Sequence, residues 1–513
     1  ECHYVEFPQE MDKQLQITES GIGYDLPPKK CPKCGRNMQR LGFNIPFEAF
    51  MGINNNRVPD IDLNFSDEIQ TDVHREITRL FGEEHVLRAG TVLRVKPRTA
   101  MAMAAEFAKK HKISEEFTPV IVDQIVEAKL GTGQHPGGLL IFNKKVDINN
   151  YTPIQYPANN SSRPKISHIE YDYLHDAVMK LDALGHLTPS MLKQLHILTG
   201  VDPSTVDMSD PDVMELFRST ESLGIDLRPV TSVGTIGISE FGTKFVRRIL
   251  EMTKPRTFEE LVKICGLAHG TNVWNDNAEF YIKSDQASLK DVISVRDDIF
   301  VNLVKAGVEP QIAFEIMERV KKGKGLLERH IKALQGRVPQ WYIESANKIQ
   351  YLFPKAHASA YTISIYRMSW YKIHYPLAFY AGILSKRSTI DAKYYLMSPD
   401  KLEPIILTST KDDFSMKELM CLEMAYEAKK RGYDFLPPHV SLSHNWRFIV
   451  DNNNIRLPLS SIKGIGEKVA KNIVEAREQG QFVSVQDFIK RSNVNKRVVQ
   501  LLEDIGALKN LPR

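Results

Sequence analysis

The chain has 513 residues, 42% of them apolar and 25% charged, with a net charge of +4. This excludes a disordered or collagen-like polymer and a uniformly polycationic chain, so any basic surface has to be local. Five cysteines, odd in number and sparse for this length, exclude a disulfide framework and point to a reducing compartment, the cytoplasm by default. The best apolar stretch, residues 360 to 384, is broken by Arg367, Lys372 and His374, so no membrane partner is expected. At about 150 residues per domain the length predicts roughly three domains, and a start at Glu1 without a leader-like segment points to a piece of a longer chain.

Residues 1 to 45 form a first, cysteine-rich unit. CPKC places Cys31 and Cys34 at the spacing of a zinc knuckle, among Gly21, Gly23, Pro27, Pro28 and Gly35, and Cys2 supplies a third thiolate. Structural zinc takes four ligands; His3 is a candidate for the fourth, or a partner preceding residue 1. The alternative is a pair of exposed thiols in a mobile loop.

Residues 46 to 204 read as mixed α/β. In VPDIDLNFS a strand alternates its side chains between faces, so Asp60 and Asp62 share one, and paired carboxylates are what hard divalent cations take. An acidic pair on a solvated strand edge is the plain alternative. An amphipathic segment follows around DVHREITRLFGEEHV, then a helix over Thr99 to Lys110. TGQHPGG, residues 132 to 138, predicts a glycine turn ahead of the strand LLIF, with His135 as a candidate phosphate ligand. MKLDALGH then brings a third carboxylate, Asp182, and in a strand Lys180 shares its face. A cation for phosphate oxygens beside a metal ligand suits phosphoryl transfer.

Residues 205 to 395 read as mostly helical. Phosphate-friendly side chains recur there: Lys244, Arg247 and Arg248, then Arg296, then Lys321, Lys322 and Lys324 in VKKGKG. Most lysines on helices are simply solvated. FPKAHASAY adds Lys355, His357 and Tyr361 ahead of Tyr366, Trp370 and Tyr371, aromatics whose helical spacing predicts core. In residues 396 to 513, SSIKGIGEKVAKNIVEA sets Gly464 and Gly466 between helix-like segments with Lys463, Lys468 and Lys471. This is a helix-hairpin-helix pattern, which brings backbone amides and a helix N-terminus to duplex phosphates. A second, degenerate copy follows in NVNKRVVQLLEDIGAL; an ordinary helical hairpin is the alternative.

Taken in order, VPDIDLNFS, TGQHPGG, YTPIQYP, KLDALGH, STESLG, GTIGISEFGT, HGTNVW, RDDI, FPKAHASAY and SIKGIGEKVA closely resemble the carboxy-terminal part of the alpha subunit of bacterial DNA polymerase III, in its PolC type. The cysteine-rich segment ahead of the acidic strand favours PolC over the DnaE type. The resemblance implies a multidomain fold, α/β plus mostly α. Its parts would be an N-terminal zinc knuckle (1–45), a partial polymerase-β-like nucleotidyltransferase palm (46–204), helical fingers (205–395) and a duplex-binding region with tandem helix-hairpin-helix (396–513).

The implied function is template-directed DNA synthesis, nucleotidyl transfer from a dNTP to a primer 3′-hydroxyl with release of pyrophosphate. Asp60, Asp62 and Asp182 would hold two Mg²⁺ ions, and Cys2, Cys31 and Cys34 a structural Zn²⁺. Lys180 and His135 would serve the substrate phosphates, with Arg296, Lys321, Lys322 and Lys324 approaching from the fingers. Gly464, Gly466, Lys463 and Lys468 would grip DNA. Implied partners are primer-template DNA, dNTPs and replisome subunits including the sliding clamp, whose binding peptide is not evident here. OB-like, PHP and exonuclease regions would precede residue 1.

Two departures stand out: LRVKPRTAMAM replaces a GTVADKTAYG-like stretch, leaving Lys96 and Arg98 as substitute cations, and Asp67 stands where glycine is common. The other functional classes in play are a metal-dependent nuclease with a helix-hairpin-helix tail and a non-catalytic DNA-binding or assembly fragment.

Overall fold

In the computed structural model, which describes residues 2–6, 22–54, 59, 61–157, 164–174 and 178–513, the chain divides into two compact units. Phe47–Ser190 form one, and Glu1–Pro46 with Met191–Arg513 form the other. Asp60 lies outside the described residues.

The first unit is built on a sheet of β1 (Ile61–Ser66), β2 (Val86–Arg94), β3 (Lys129–Ile141), β4 (Ile154–Gln155), β5 (Ile166–Ser167) and β6 (Met179–His186), in the order β1-β6-β3-β2-β5-β4. β1 and β6 are parallel, and β3 is antiparallel to both of its neighbours, β6 and β2. Helix α1 (Gln70–Phe81) covers one face, where Val73 and Ile77 pack with Leu139, Ile141, Leu181 and Ala183. The opposite face has its own core of Leu87, Ala89, Leu140, Phe142 and Ile148. Helix α2 (Pro97–His111) opens on a proline at its first turn, where the missing N–H costs nothing, and buries Ala100, Ala104 and Ala108 at a spacing of four.

TGQHPGG departs from the expected turn: it lies inside β3, as a bulge. Arg88 of β2 pairs with Leu139 while Gly90, two residues on, pairs with Gln134, so residues 135 to 138 of β3 stand against Ala89 alone. The glycines make room for that excess. A Cβ on Gly137 would come within 2.5 Å of Leu184 Cδ2, and one on Gly138 within 2.8 Å of Ala89 Cβ.

In the second unit, helices α3 (Lys244–Thr253), α4 (Phe258–His269), α5 (Arg296–Lys305), α6 (Pro310–Val320) and α7 (Lys355–His374) carry the core. Tyr366 and Tyr371 are fully buried, as their spacing predicts, whereas Trp370, read with them as core, is half-buried. The cysteine-bearing segment docks onto α4. Both oxygens of Asp25 cap that helix, accepting from the backbone N–H groups of Phe258 at 2.6 Å and Glu259 at 2.9 Å, and Tyr24 stacks against Phe258. A short sheet, β7 (Asp434–Leu436), β8 (Ile449–Asp451) and β9 (Asn454–Arg456), precedes the last helices α8 (Glu467–Glu478), α9 (Val485–Ser492) and α10 (Lys496–Asp504). Among the described residues no helix is long and apolar enough to cross a membrane.

Candidate active site and nucleic-acid interface

The parallel register of β1 and β6 sets Asp62 opposite Asp182. Directly paired residues point to one face, and here it is the face away from α1, because Leu181 and Ala183, the residues flanking Asp182, pack with Ile77. Asp182 is 15% exposed, and its two oxygens differ. Oδ2 accepts from Lys180 Nζ at 2.7 Å, and that ammonium also lies 5.4 Å from the Tyr171 ring centroid. Oδ1 is buried without a hydrogen-bond partner.

His135 does not supply that missing partner. Its Nδ1 stands 3.7 Å from Asp182 Oδ1, but it already accepts the backbone N–H groups of Gly137 at 3.2 Å and Gly138 at 2.7 Å. That nitrogen therefore carries no proton to share. Burial first, then the charge of Lys180, hold the His135 imidazole below its usual pKa, against the raising effect of Asp182. A carboxylate oxygen buried without a donor is costly, and a hard cation bound to it removes that cost, so the oxygen set of Asp62 and Asp182 fits a divalent metal. Lys180 is held on Asp182, beside any ligand rather than reaching outward alone.

Asp67, the departure next to this strand, has a definite task. It accepts the hydroxyl of Ser190, which also lies 2.7 Å from Ser66 Oγ, and its N–H donates to His186 O at 3.2 Å. The end of β1 is thereby tied to Ser190, just beyond the end of β6. Lys96 pairs with Glu127 at 3.2 Å, and Arg98 is exposed.

In the second unit the predicted cations separate into two groups. Arg247, read as phosphate-friendly, is instead 2% exposed and paired with Glu423 at 2.6 Å, and Lys355 is buried on Glu259 at 2.7 Å. Their charges are committed inside the fold. Lys321 is paired with Glu318 at 2.5 Å. Lys322 and Lys324 are exposed on the turn after α6, which is made on Gly323 at φ +68°, where a Cβ would meet Gln350 O at 2.5 Å. Arg296 is the first residue of α5, and its N–H donates to Phe353 O at 3.0 Å.

His357 and Tyr361 of FPKAHASAY are joined by two residues not singled out from the sequence, His269 and Glu240. His269 of HGTNVW comes within 5.3 Å of the Tyr361 ring and 5.8 Å of His357, Phe353 stacks on His357 at 4.8 Å, and Glu240 of GTIGISEFGT approaches His269 Nε2 at 3.7 Å. Three strings that are far apart in sequence meet there as half-buried rings. Their order alone was legible; their meeting depends on helix packing.

The hairpin glycines have different reasons to be glycine. Gly464 has φ +101°, a left-handed value that disfavours any side chain, and faces Leu501 of α10. Gly466 caps α8 at an ordinary φ of −76°, with nothing within 4 Å of where a Cβ would stand. Among the described residues nothing crowds position 466, and the open space suits an approaching ligand. Lys463 and Lys468 are exposed on either side. In the stretch 493 to 508, α10 follows α9 through Asn493 at φ +51° and is capped by Asn495, which accepts from Val498 N.

Cys2, Cys31 and Cys34 have their sulfur atoms within 4.8 Å of one another, an arrangement able to hold a metal ion; among the described residues His3 does not join the group. Burial pushes the Cys31 thiol up, but backbone N–H groups of Cys34 and Lys33 and the neighbouring thiols outweigh it and leave the pKa below its usual value. The knuckle closes through Gly35 N to Cys31 O at 2.9 Å.

Family models match in three places: the bacterial DNA polymerase III alpha NTPase domain over 36–118 and 103–185, the bacterial DNA polymerase III alpha subunit finger domain over 181–338, and a helix-hairpin-helix motif over 432–513. The chain is similar to the DNA polymerase III PolC-type of Thermotoga maritima, 43% identical over 100% of this chain and 38% of that protein. The proteins of the same name from Listeria monocytogenes and Staphylococcus aureus are 43% and 42% identical over 96% of this chain, which covers 35% of each. The chain therefore spans 35% to 38% of the length of these relatives.

Proposed function

This chain belongs to the bacterial DNA polymerase III alpha family, in its PolC type, and from that premise we propose that it serves template-directed DNA synthesis in the cytoplasm. The reaction joins the α-phosphorus of a dNTP to a primer 3′-hydroxyl and releases pyrophosphate. The observation that carries the reading is the in-register pair Asp62 and Asp182, with Asp182 Oδ1 buried and unpartnered.

In this reading residues 46–204 are the palm, of polymerase-β-like type, 205–395 the fingers and 396–513 the duplex grip, with 1–45 the zinc knuckle. Asp62 and Asp182, together with Asp60, hold two Mg²⁺ ions, which when bound make the primer hydroxyl a better nucleophile and neutralise triphosphate charge. Lys180 keeps Asp182 oriented and presents its positive charge to the phosphates from the same face. His135 holds the bulge beside Asp182 in shape, since its Nδ1 is committed to two amides. Arg296, Lys322 and Lys324 serve phosphates of nucleotide or template, with Lys321 placed beside them by Glu318. Gly464 shapes the hairpin turn, and Gly466 with Lys463 and Lys468 receives duplex phosphates without reading bases. Cys2, Cys31 and Cys34 hold Zn²⁺ as a structural ion that steadies the segment docked on α4. Primer-template DNA and dNTPs are the substrates, and the sliding clamp and other replisome subunits are the partners of the whole polymerase.

A 5′-labelled primer on a longer template tests this reading. With Mg²⁺ the label lengthens only when dNTPs are added; shortening of the label without dNTPs would point to a nuclease, and an unchanged label to a DNA-binding role alone.

A further inference from the structure

The β3–β6 ladder runs from Ile141–Met179 to Gly138–Asp182 and ends there, because β3 swings into its bulge. β6 thus loses its antiparallel neighbour directly after Asp182. Ala183, the next residue, is fully buried, and a buried carbonyl has to find a donor. Two side chains one turn apart on α1 supply it: Gln70 Nε2 donates at 3.0 Å and His74 Nε2 at 2.8 Å. Gln70 Nε2 also donates to Pro136 O at 3.1 Å, so it bridges the two strands where their ladder has opened.

The direction of the histidine bond is fixed. The Arg88 guanidinium meets His74 Nδ1, and since a guanidinium only donates, Nδ1 accepts and Nε2 carries the proton given to Ala183 O. Gln70 is confined as well: a Cβ on Gly185 would come within 2.8 Å of its Oε1. Neither side chain lies on the face that carries Asp62 and Asp182.

We propose that Gln70 and His74 are positioning residues for Asp182: through the carbonyl of Ala183 they hold the strand on the side where the ladder has ended, and so fix the metal-binding carboxylate. This rests on the metal-site reading above. Small misplacements of such a group are enough to lose function.

The test is Mn²⁺ binding to the intact chain, followed by electron paramagnetic resonance, with thermal melting recorded on each variant. Gln70→Met keeps the volume and removes the donor; His74→Leu removes the donor; His74→Gln keeps an N–H where Nε2 stood. We expect roughly tenfold weaker Mn²⁺ binding in the first two, the size usual for loss of an outer partner of a metal ligand, and near-native binding in His74→Gln. Asp182→Asn serves as the control for the reading beneath. If Asp182→Asn leaves Mn²⁺ binding intact, the metal-site reading fails and the positioning role with it. If Asp182→Asn weakens binding while folded Gln70→Met does not, the positioning role alone is overturned, as it is by equal losses in His74→Leu and His74→Gln. Should His74→Leu not fold, Gln70→Met and His74→Gln decide by the same criteria.

Discussion

Asp182 is pulled on from one side only: Lys180 holds Oδ2, and Oδ1 faces a ring nitrogen with no proton to give. The shared face of Lys180 and Asp182 was legible, because strand alternation settles it. The state of His135 was not, since it follows from a bulge that depends on register with β2. Asp67 was visible as a departure from the family, but its hydroxyl partner, Ser190, is 123 residues away. His74 gives a pH prediction at this scale. Burial first, and the charge of Arg88 besides, lower its pKa from the ordinary 6.5, against the raising effect of the bond to Ala183. The folded protein thus resists protonation that the unfolded chain accepts. Its contribution to stability is complete above about pH 6.5 and is lost as pH falls through that value toward the lower folded one. Urea midpoints should decline with acid more steeply in the native protein than in His74→Gln; parallel declines would contradict this.

Elements differ in how much of them was written locally. Helix α2 was legible from its alanine-rich run as Thr99 to Lys110, two residues short of its proline start at Pro97, and α7 from its aromatic spacing. The segment TGQHPGG carried turn chemistry yet became strand, because glycine serves a crowded bulge as well as a turn. The capping of α4 is local only in part: Thr257 accepts from the N–H of Glu260, whereas Asp25 reaches Phe258 across 233 residues and was not legible. Asp25→Ala should cost the second unit about 1 kcal/mol or more, typical for a lost N-cap, read as a lowered melting temperature. An unchanged melt would mean that the cap is idle. The hairpin glycines separate fold from function. Gly464→Ala should destabilise through its positive φ, whereas Gly466→Ala should melt normally and bind duplex DNA more weakly, as fluorescence anisotropy would show. Equal stability losses in both would remove the distinction.

For the whole molecule, the family strings in their order made the α/β part, the helical part and the terminal hairpins readable, whereas the assignment of 1–46 to the helical unit rests on long-range contacts such as those of Tyr24 and Asp25 with α4. Zinc stoichiometry, measured by metal release from the intact chain, should be one ion per chain and should fall in Cys31→Ser; no zinc in the native chain would leave the three thiols without that role. The proposed three-carboxylate metal centre that runs DNA synthesis is tested most directly by primer extension with Mg²⁺ and four dNTPs, comparing the intact polymerase with its Asp182→Asn form. The account predicts that incorporation is lost while the fold and duplex binding are kept; undiminished extension by Asp182→Asn would contradict it.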